Sequence, residues 1–182
     1  MRAFLGISIS DDLKHKILDV QRNFSNFDIK FVESENLHFN LKFFREINDE
    51  STEKLKQILE EIIKKYEPFE IEIKGLGVFP NKNYIRVVWV GVKEGYNTLT
   101  SLAEDIQNSI DKLGFPREEK FVPHLTLGRV RTARNKSELA SIVEELKDLE
   151  IGRMKVDNVV LFESMLSPNG PKYEEIFRVN LK

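Results

Sequence analysis

The chain contains no cysteine. Disulfides, thiolate catalysis and cysteine-ligated zinc are therefore excluded. Long hydrophobic runs are also missing. The opening segment AFLGISI, residues 3–9, is short and lacks the cleavage pattern of a secretion signal. Nothing approaches the roughly 20 apolar residues of a membrane span. The expected setting is the cytoplasm, away from membranes. An excess of one charge is absent too: 28 basic residues against 30 acidic ones leave a formal net charge of −2. The whole molecule does not advertise nucleic-acid binding. No tract is biased enough in composition to stay unfolded.

What is present fits a folded domain. With 182 residues, 41% of them apolar, the chain can bury about 70% of its unfolded surface and needs no staples. Charge is unevenly placed, however. From Phe115 to Lys136 there are six basic residues against two acidic ones, Glu118 and Glu119. The segment fits a solvated rim as well as an anion-facing one.

The patterning alternates between strands and helices. RAFLGISIS reads as a strand and DDLKHKILDVQRNF as a helix, with Leu13, Ile17, Val20 and Phe24 at helical spacing. NLHFNLKFF alternates: Leu37, Phe39, Leu41 and Phe43 face one way, His38, Asn40 and Lys42 the other. DESTEKLKQILEEIIKKY predicts a helix opened by Ser51 or Thr52. FEIEIKGLGVF predicts a strand, and Pro80-Asn81 with Asn83 a turn. The order then repeats: YIRVVWVGV, a helix ending at Gly114, FVPHLTLGRV, the helix SELASIVEELKDL and the strand RMKVDNVVLFES, with YEEIFRVNLK last. GLGVF at 75–79 aligns with NVVLF at 158–162. The expectation is a duplicated, bilobal α+β fold: one domain over 1–182, with lobe-forming repeats at about 1–80 and 84–182. Two antiparallel sheets flanked by helices would surround a central cleft on a pseudo-two-fold axis.

Two of the three histidines sit at equivalent places, 86 positions apart. His15 lies off its helix's apolar stripe and reads as a surface residue. His38 and His124 each open an alternating run and are followed, on the same face, by Asn40 and Thr126. Either histidine alone fits a structural role. As a pair on opposite walls, one neutral imidazole can take a proton while a protonated one gives it. Asn40 and Thr126 can donate hydrogen bonds to an oxyanion between them. In-line displacement at phosphorus needs that layout. No carboxylate or third histidine stands at ligand spacing, so the pair makes a poor zinc site and no metal is assigned.

The two motifs, with MRAFLGISIS, GLGVFPN and the WVGV strand, make the chain resemble the 2H phosphoesterase superfamily. The match is closest to the RNA 2′,3′-cyclic phosphodiesterase, or 2′-5′ RNA ligase, branch. That resemblance implies an enzyme that opens a 2′,3′-cyclic phosphate on RNA to a 2′-phosphomonoester without a cofactor. Some members also join such an end to a 5′-hydroxyl without ATP. It implies His38 as proton donor, His124 as proton acceptor and Thr126 as a phosphate ligand. Asn40 stands where the family usually has threonine. Arg129 follows the second motif where the family often places an arginine; strict alternation points it away unless the strand bends or ends at Gly128, a residue that permits a bulge. Lys42, in phase with His38, is a further candidate phosphate contact. Phe79, Tyr84 and Phe121 are candidates for stacking on RNA bases, and the basic segment 115–136 becomes an electrostatic track for the strand. The expected partner is RNA with a cyclic-phosphate end, tRNA fragments included, bound by a monomer. Two other readings stay open: a binding module that holds such an end without turnover, and a phosphodiesterase for small cyclic nucleotides or 2′-5′ linkages.

Overall fold

A computed structural model of the chain describes residues 1–117, 120–132 and 134–182. Strand β1 (Ala3–Ser8) leads into helix α1 (Lys14–Arg22), which buries Ile17 and Val20 and leaves His15 exposed. A short β2 (Ile29–Phe31), which the sequence pattern does not announce, precedes β3 (His38–Phe44). Helix α2 (Asp49–Ile63) is capped by Asn48, not by Ser51 or Thr52. The Asn48 side chain accepts the Ser51 N–H at 2.8 Å, and Asp49 and Glu50 then lie in the first turn, where the helix dipole favours them.

Strand β4 (Phe69–Asn81) runs through Pro80 and Asn81 and turns into β5 (Tyr84–Val92) one step later than expected. The reason is local: Asn81 Oδ1 accepts the N–H groups of Asn83 and Tyr84 at 2.9 and 3.0 Å, so the turn follows Asn81. Helix α3 (Tyr96–Ile110), β6 (His124–Val130) and α4 (Lys136–Glu145) follow. RMKVDNVVLFES is two strands, not one: β7 (Glu150–Val156) and β8 (Asn158–Ser167). β9 (Gly170–Asn180) closes the sheet.

Among the described residues all strand pairings are antiparallel and form one nine-stranded sheet in the order β7-β4-β5-β6-β3-β1-β8-β9, with β2 against β6. At its centre β3 and β6 share a single pair, Phe39 opposite Leu125. The two expected sheets are thus joined edge to edge at a narrow seam. Strand order draws each half-sheet from both stretches of chain. β4 follows α2 but pairs with β5, while β8, its counterpart in the GLGVF/NVVLF match, pairs with β1. The chain changes half-sheet at Asp157, whose carbonyl accepts the Leu181 N–H at 2.8 Å. Inward residues of both half-sheets and the apolar stripes of all four helices merge into one buried cluster. Phe39, Leu125 and Leu127 belong to it, so the opposite face of β3 and β6 is left for the site.

Candidate active site

Both motif histidines are placed by the same local device. His38 Nδ1 lies 2.6 Å from the Asn36 carbonyl oxygen, and His124 Nδ1 lies 2.7 Å from that of Val122. A carbonyl only accepts, so each Nδ1 carries hydrogen and donates. Each neutral ring therefore keeps its lone pair on Nε2. The ring faces are held by aromatic packing. His38 stacks on Phe4 with centroids 4.4 Å apart and meets the edge of Tyr173 at 5.4 Å. His124 meets Phe79 at 4.9 Å and Trp89 at 5.9 Å. Gly77 makes room for Trp89: a Cβ there would lie 2.3 Å from the indole ring.

The strands beneath repeat a second device. Leu5 faces Lys42 and Gly6 faces Asn40, which leaves Leu41 as an extra residue in β3. Val88 faces Gly128 and Trp89 faces Thr126, which leaves Leu127 extra in β6. Each bulge falls three residues after its histidine and reverses the phase of the strand. Before the bulge, His38, Asn40, His124 and Thr126 line a common cavity of about 530 Å³. After it, Lys42 and Gly128 turn inward, and Phe43 and Arg129 turn to the cavity.

Electrostatics follow from this burial. Desolvation pulls His38 down to about 4, opposed by its bond to Asn36 and assisted by the nearby His124. Desolvation also lowers His124, opposed by its bond to Val122 and assisted by Arg129. Both rings are thus neutral at pH 7 in the free protein. Among the described residues, the walls around them carry Arg2, Lys30, Lys120 and Arg129 against one carboxylate, Glu33. The cleft is cationic although the whole chain is not.

Comparison with known proteins places the chain. Residues 10–165 match the model of the 2′-5′ RNA ligase superfamily. The chain belongs to that superfamily. Among its relatives is the RNA 2′,3′-cyclic phosphodiesterase of Methanothermobacter thermautotrophicus, 42% identical over 98% of this chain and 99% of the relative. The enzyme of the same name from Methanocaldococcus jannaschii is also 42% identical, over 97% and 98%. The fold is shared with Escherichia coli LigT complexed with 3′-AMP (TM-score 0.81, 22% identity, 99% and 97% of the two chains). It is shared too with TT0787 of Thermus thermophilus (TM-score 0.83, 24% identity, 100% and 98%).

The superfamily motifs also show where single residues depart from expectation. Lys42 is not a cleft residue. The Leu41 bulge turns it to the core side, where it is 2% exposed and its Nζ donates to the Pro116 carbonyl. It ties down the segment that leads to β6. Arg129 does line the cleft, by the bend that alternation alone would forbid, although the extra residue is Leu127 rather than Gly128. Gly128 serves another need: a Cβ there would lie 2.5 Å from Ile29 Cγ2 and 3.0 Å from the Lys30 carbonyl, so glycine admits β2. The bulge is secured by Gln21, whose Nε2 donates to the carbonyls of Val32 and Leu127 at 3.1 and 3.0 Å; the Val32 N–H reaches the same Leu127 oxygen at 2.9 Å.

Asn40 lines the cavity with its Oδ1 buried and unpaired among the described residues. Of the three candidate stacking aromatics, Phe121 lines the cleft, Phe79 is packed against His124, and Tyr84 stands at a separate cavity. The basic segment divides likewise. Lys120 and Arg129 face the cleft, Arg117 pairs with Asp111, and Arg131, Arg134 and Lys136 line the second cavity; Glu118 and Glu119 lie outside the described residues. Sequence reasoning missed Arg2, Lys30 and Tyr173. Tyr173 lines the same cavity as Arg129; burial raises its hydroxyl above the ordinary value and the charge of Arg129 opposes that. Only the unannounced β2 could have pointed to Lys30, which pairs with Arg129. Among the described residues no three His, Asp or Glu side chains converge on a metal site, and no helix is long and apolar enough to cross a membrane.

Proposed function

We propose that this chain is an RNA 2′,3′-cyclic phosphodiesterase, which opens the terminal cyclic phosphate to a 2′-phosphomonoester. The observation that carries the reading is the matched pair of imidazoles, each with Nδ1 committed to a carbonyl, in one cationic cavity. Relatives of that name, similar over nearly the whole chain, support it.

The reaction needs one proton removed and one supplied. His124 Nε2 takes a proton from water as the water oxygen attacks phosphorus. The P–O3′ bond breaks in line, and His38 gives its Nε2 proton to the departing 3′-oxygen. Thr126, Asn40 and Arg129 hold the equatorial phosphate oxygens. His38 must acquire its proton first, because the free ring is neutral. The anionic phosphate can supply the bias. Unit charges about 4 Å apart at an effective dielectric near 20 attract by about 4 kcal/mol, or about three pK units. That is the size of the gap between about 4 and neutrality.

A 5′-hydroxyl in place of water would give a 2′-5′ linkage through the same two residues, in keeping with the superfamily's name. We further propose that the protein works as a monomer in the cytoplasm on RNA ends, tRNA fragments among them.

The test is an oligonucleotide ending in a 2′,3′-cyclic phosphate, followed by phosphorus NMR with and without chelator. The expected result is replacement of the ring phosphate signal by that of a 2′-monoester, unaffected by chelator. His38→Ala and His124→Ala should each slow it at least about a hundredfold. Binding without a new signal would establish the non-catalytic module instead. Turnover confined to mononucleotides would assign a small cyclic nucleotide as substrate.

A further inference from the structure

At the far end of β6, away from the histidines, lies a second cavity of about 270 Å³. It sits where β5 begins, β6 ends and α4 starts. Tyr84, Arg86, Arg131, Arg134, Lys136 and the buried Leu139 line it, and among the described residues no carboxylate is in the wall. Among the described residues Arg86, Arg134 and Lys136 enter no ion pair, and Arg131 reaches Asp28 only at 3.8 Å while staying 58% exposed. Tyr84 is 51% exposed, far more than a core aromatic. Its ring lies 5.6 Å from the Arg86 guanidinium, which also donates to the Tyr84 hydroxyl at 2.8 Å. The ring is thereby held by Arg86 and stays half exposed.

The start of α4 adds to this. Asn135 is in the left-handed conformation, at φ 54°, and makes no side-chain cap. Lys136, the first residue of the helix, lines the cavity, so the positive end of the helix dipole lies beside it. The one acid of that turn, Glu138, is not in the cavity wall.

Concentrated cations whose one anion partner among the described residues is Asp28, at 3.8 Å from Arg131, stand beside a half-exposed flat ring and match a phosphate backbone with a base to stack. β6 links this place to the cleft. Its seven residues span about 20 Å at about 3.3 Å each. Arg129 opens on the cleft, and Arg131, two positions on, opens on the second cavity.

We propose that this cavity is a second RNA site, which grips single-stranded RNA upstream of the reacting end, with a base on Tyr84 and phosphates on Arg131, Arg134 and Lys136. The proposal rests on the reading above that the substrate is an RNA end. It assigns the protein a preference for strands long enough to reach both sites, about four nucleotides or more, the lower end of single-strand site sizes.

The experiment compares two substrates, adenosine 2′,3′-cyclic phosphate and an unstructured 12-nucleotide RNA ending in a 2′,3′-cyclic phosphate. They are given to the wild type and to the triple variant Arg131→Gln/Arg134→Gln/Lys136→Gln, with thermal unfolding as a check on folding. The triple variant should raise KM for the 12-mer at least tenfold and leave the mononucleotide unchanged. The slope of log KM against log salt should fall by about 2, from about 0.7 per phosphate contact. Tyr84→Ala should weaken 12-mer binding about tenfold without changing that slope. Equal effects on both substrates, or none on the 12-mer, would overturn the proposal. Binding of a 12-mer with a 3′-phosphate, read by fluorescence anisotropy, separates the two readings. Loss of binding in the triple variant supports the second site even if the wild type hydrolyses nothing. Unchanged binding refutes it even if hydrolysis is normal.

Discussion

Phe39 and Leu125 face each other across the seam of the sheet, and each is the residue that follows a motif histidine. The antiparallel sense of that pair brings His38 to the side of Thr126 and Asn40 to the side of His124. Each imidazole is thus grouped with the polar residue of the other motif, and each half of the chain supplies one of the two strands at the seam.

Asn40 stands beside the proposed proton acceptor, with its carbonyl end buried and, among the described residues, unpaired. Its amide end is then the one free to donate to a phosphate oxygen. Asn40→Ala should lower kcat about a hundredfold, the usual loss for one oxyanion donor, with a smaller change in KM. Asn40→Thr, which restores the hydroxyl usual in the family, should keep activity within about tenfold of the wild type. Full activity in Asn40→Ala would remove the residue from the mechanism.

Anion binding should be coupled to a proton. Burial holds His38 at about 4 and His124 below its ordinary value, so the free rings are neutral at pH 7. An anion between them favours the charged form and raises the pKa. Between the free and the bound pKa, binding takes up a proton, and affinity falls as pH rises through that window. Sulfate does not titrate there and isolates the effect. Calorimetry in two buffers of different ionisation enthalpy should show uptake approaching one proton near pH 6, and His38→Ala should abolish most of it. Sulfate affinity flat from pH 5 to pH 7 would contradict this.

Gln21 reaches the site through the bulge. Its amide donates to the Leu127 carbonyl, and the bend at Leu127 is what turns Arg129 to the cleft. Gln21→Met, close in volume, should raise KM for the cyclic-phosphate RNA several-fold with kcat little changed. Added to Arg129→Gln it should cost little more, because both act on one contact. Fully additive losses would show that Gln21 serves stability alone.

Lys42 offers the opposite outcome. Its amine is spent on the Pro116 carbonyl. Lys42→Met should lower unfolding stability by about 1 kcal/mol or more, the cost of leaving a polar partner unmatched. The salt dependence of KM should stay as it is. A phosphate ligand would show the reverse: weakened, less salt-sensitive binding at unchanged stability.

Much of this was legible in the residues. Periodicity located the long strands and helices, because a strand with one buried face must alternate and a packed helix must carry a stripe. The duplication made His38 and His124 a pair before any coordinates. Short-range rules failed where one residue changed the outcome. Asn48 took the cap from Ser51, and β2 is too short for a period to show. Lys42 left the face that alternation gave it, and Arg129 reached the cleft as its candidacy required, by a bulge at Leu127 rather than Gly128, because an extra residue in a ladder is visible only against its partner strand.

By itself, then, the sequence determined the element types, the two motifs and the absence of thiol chemistry, all properties of local order and composition. Tertiary structure decided which half-sheet each strand joins, where the bulges fall, and that four cations gather around two neutral imidazoles. Those depend on contacts between residues far apart in the chain. Pairing register and burial, not local preference, set the free energy of each arrangement.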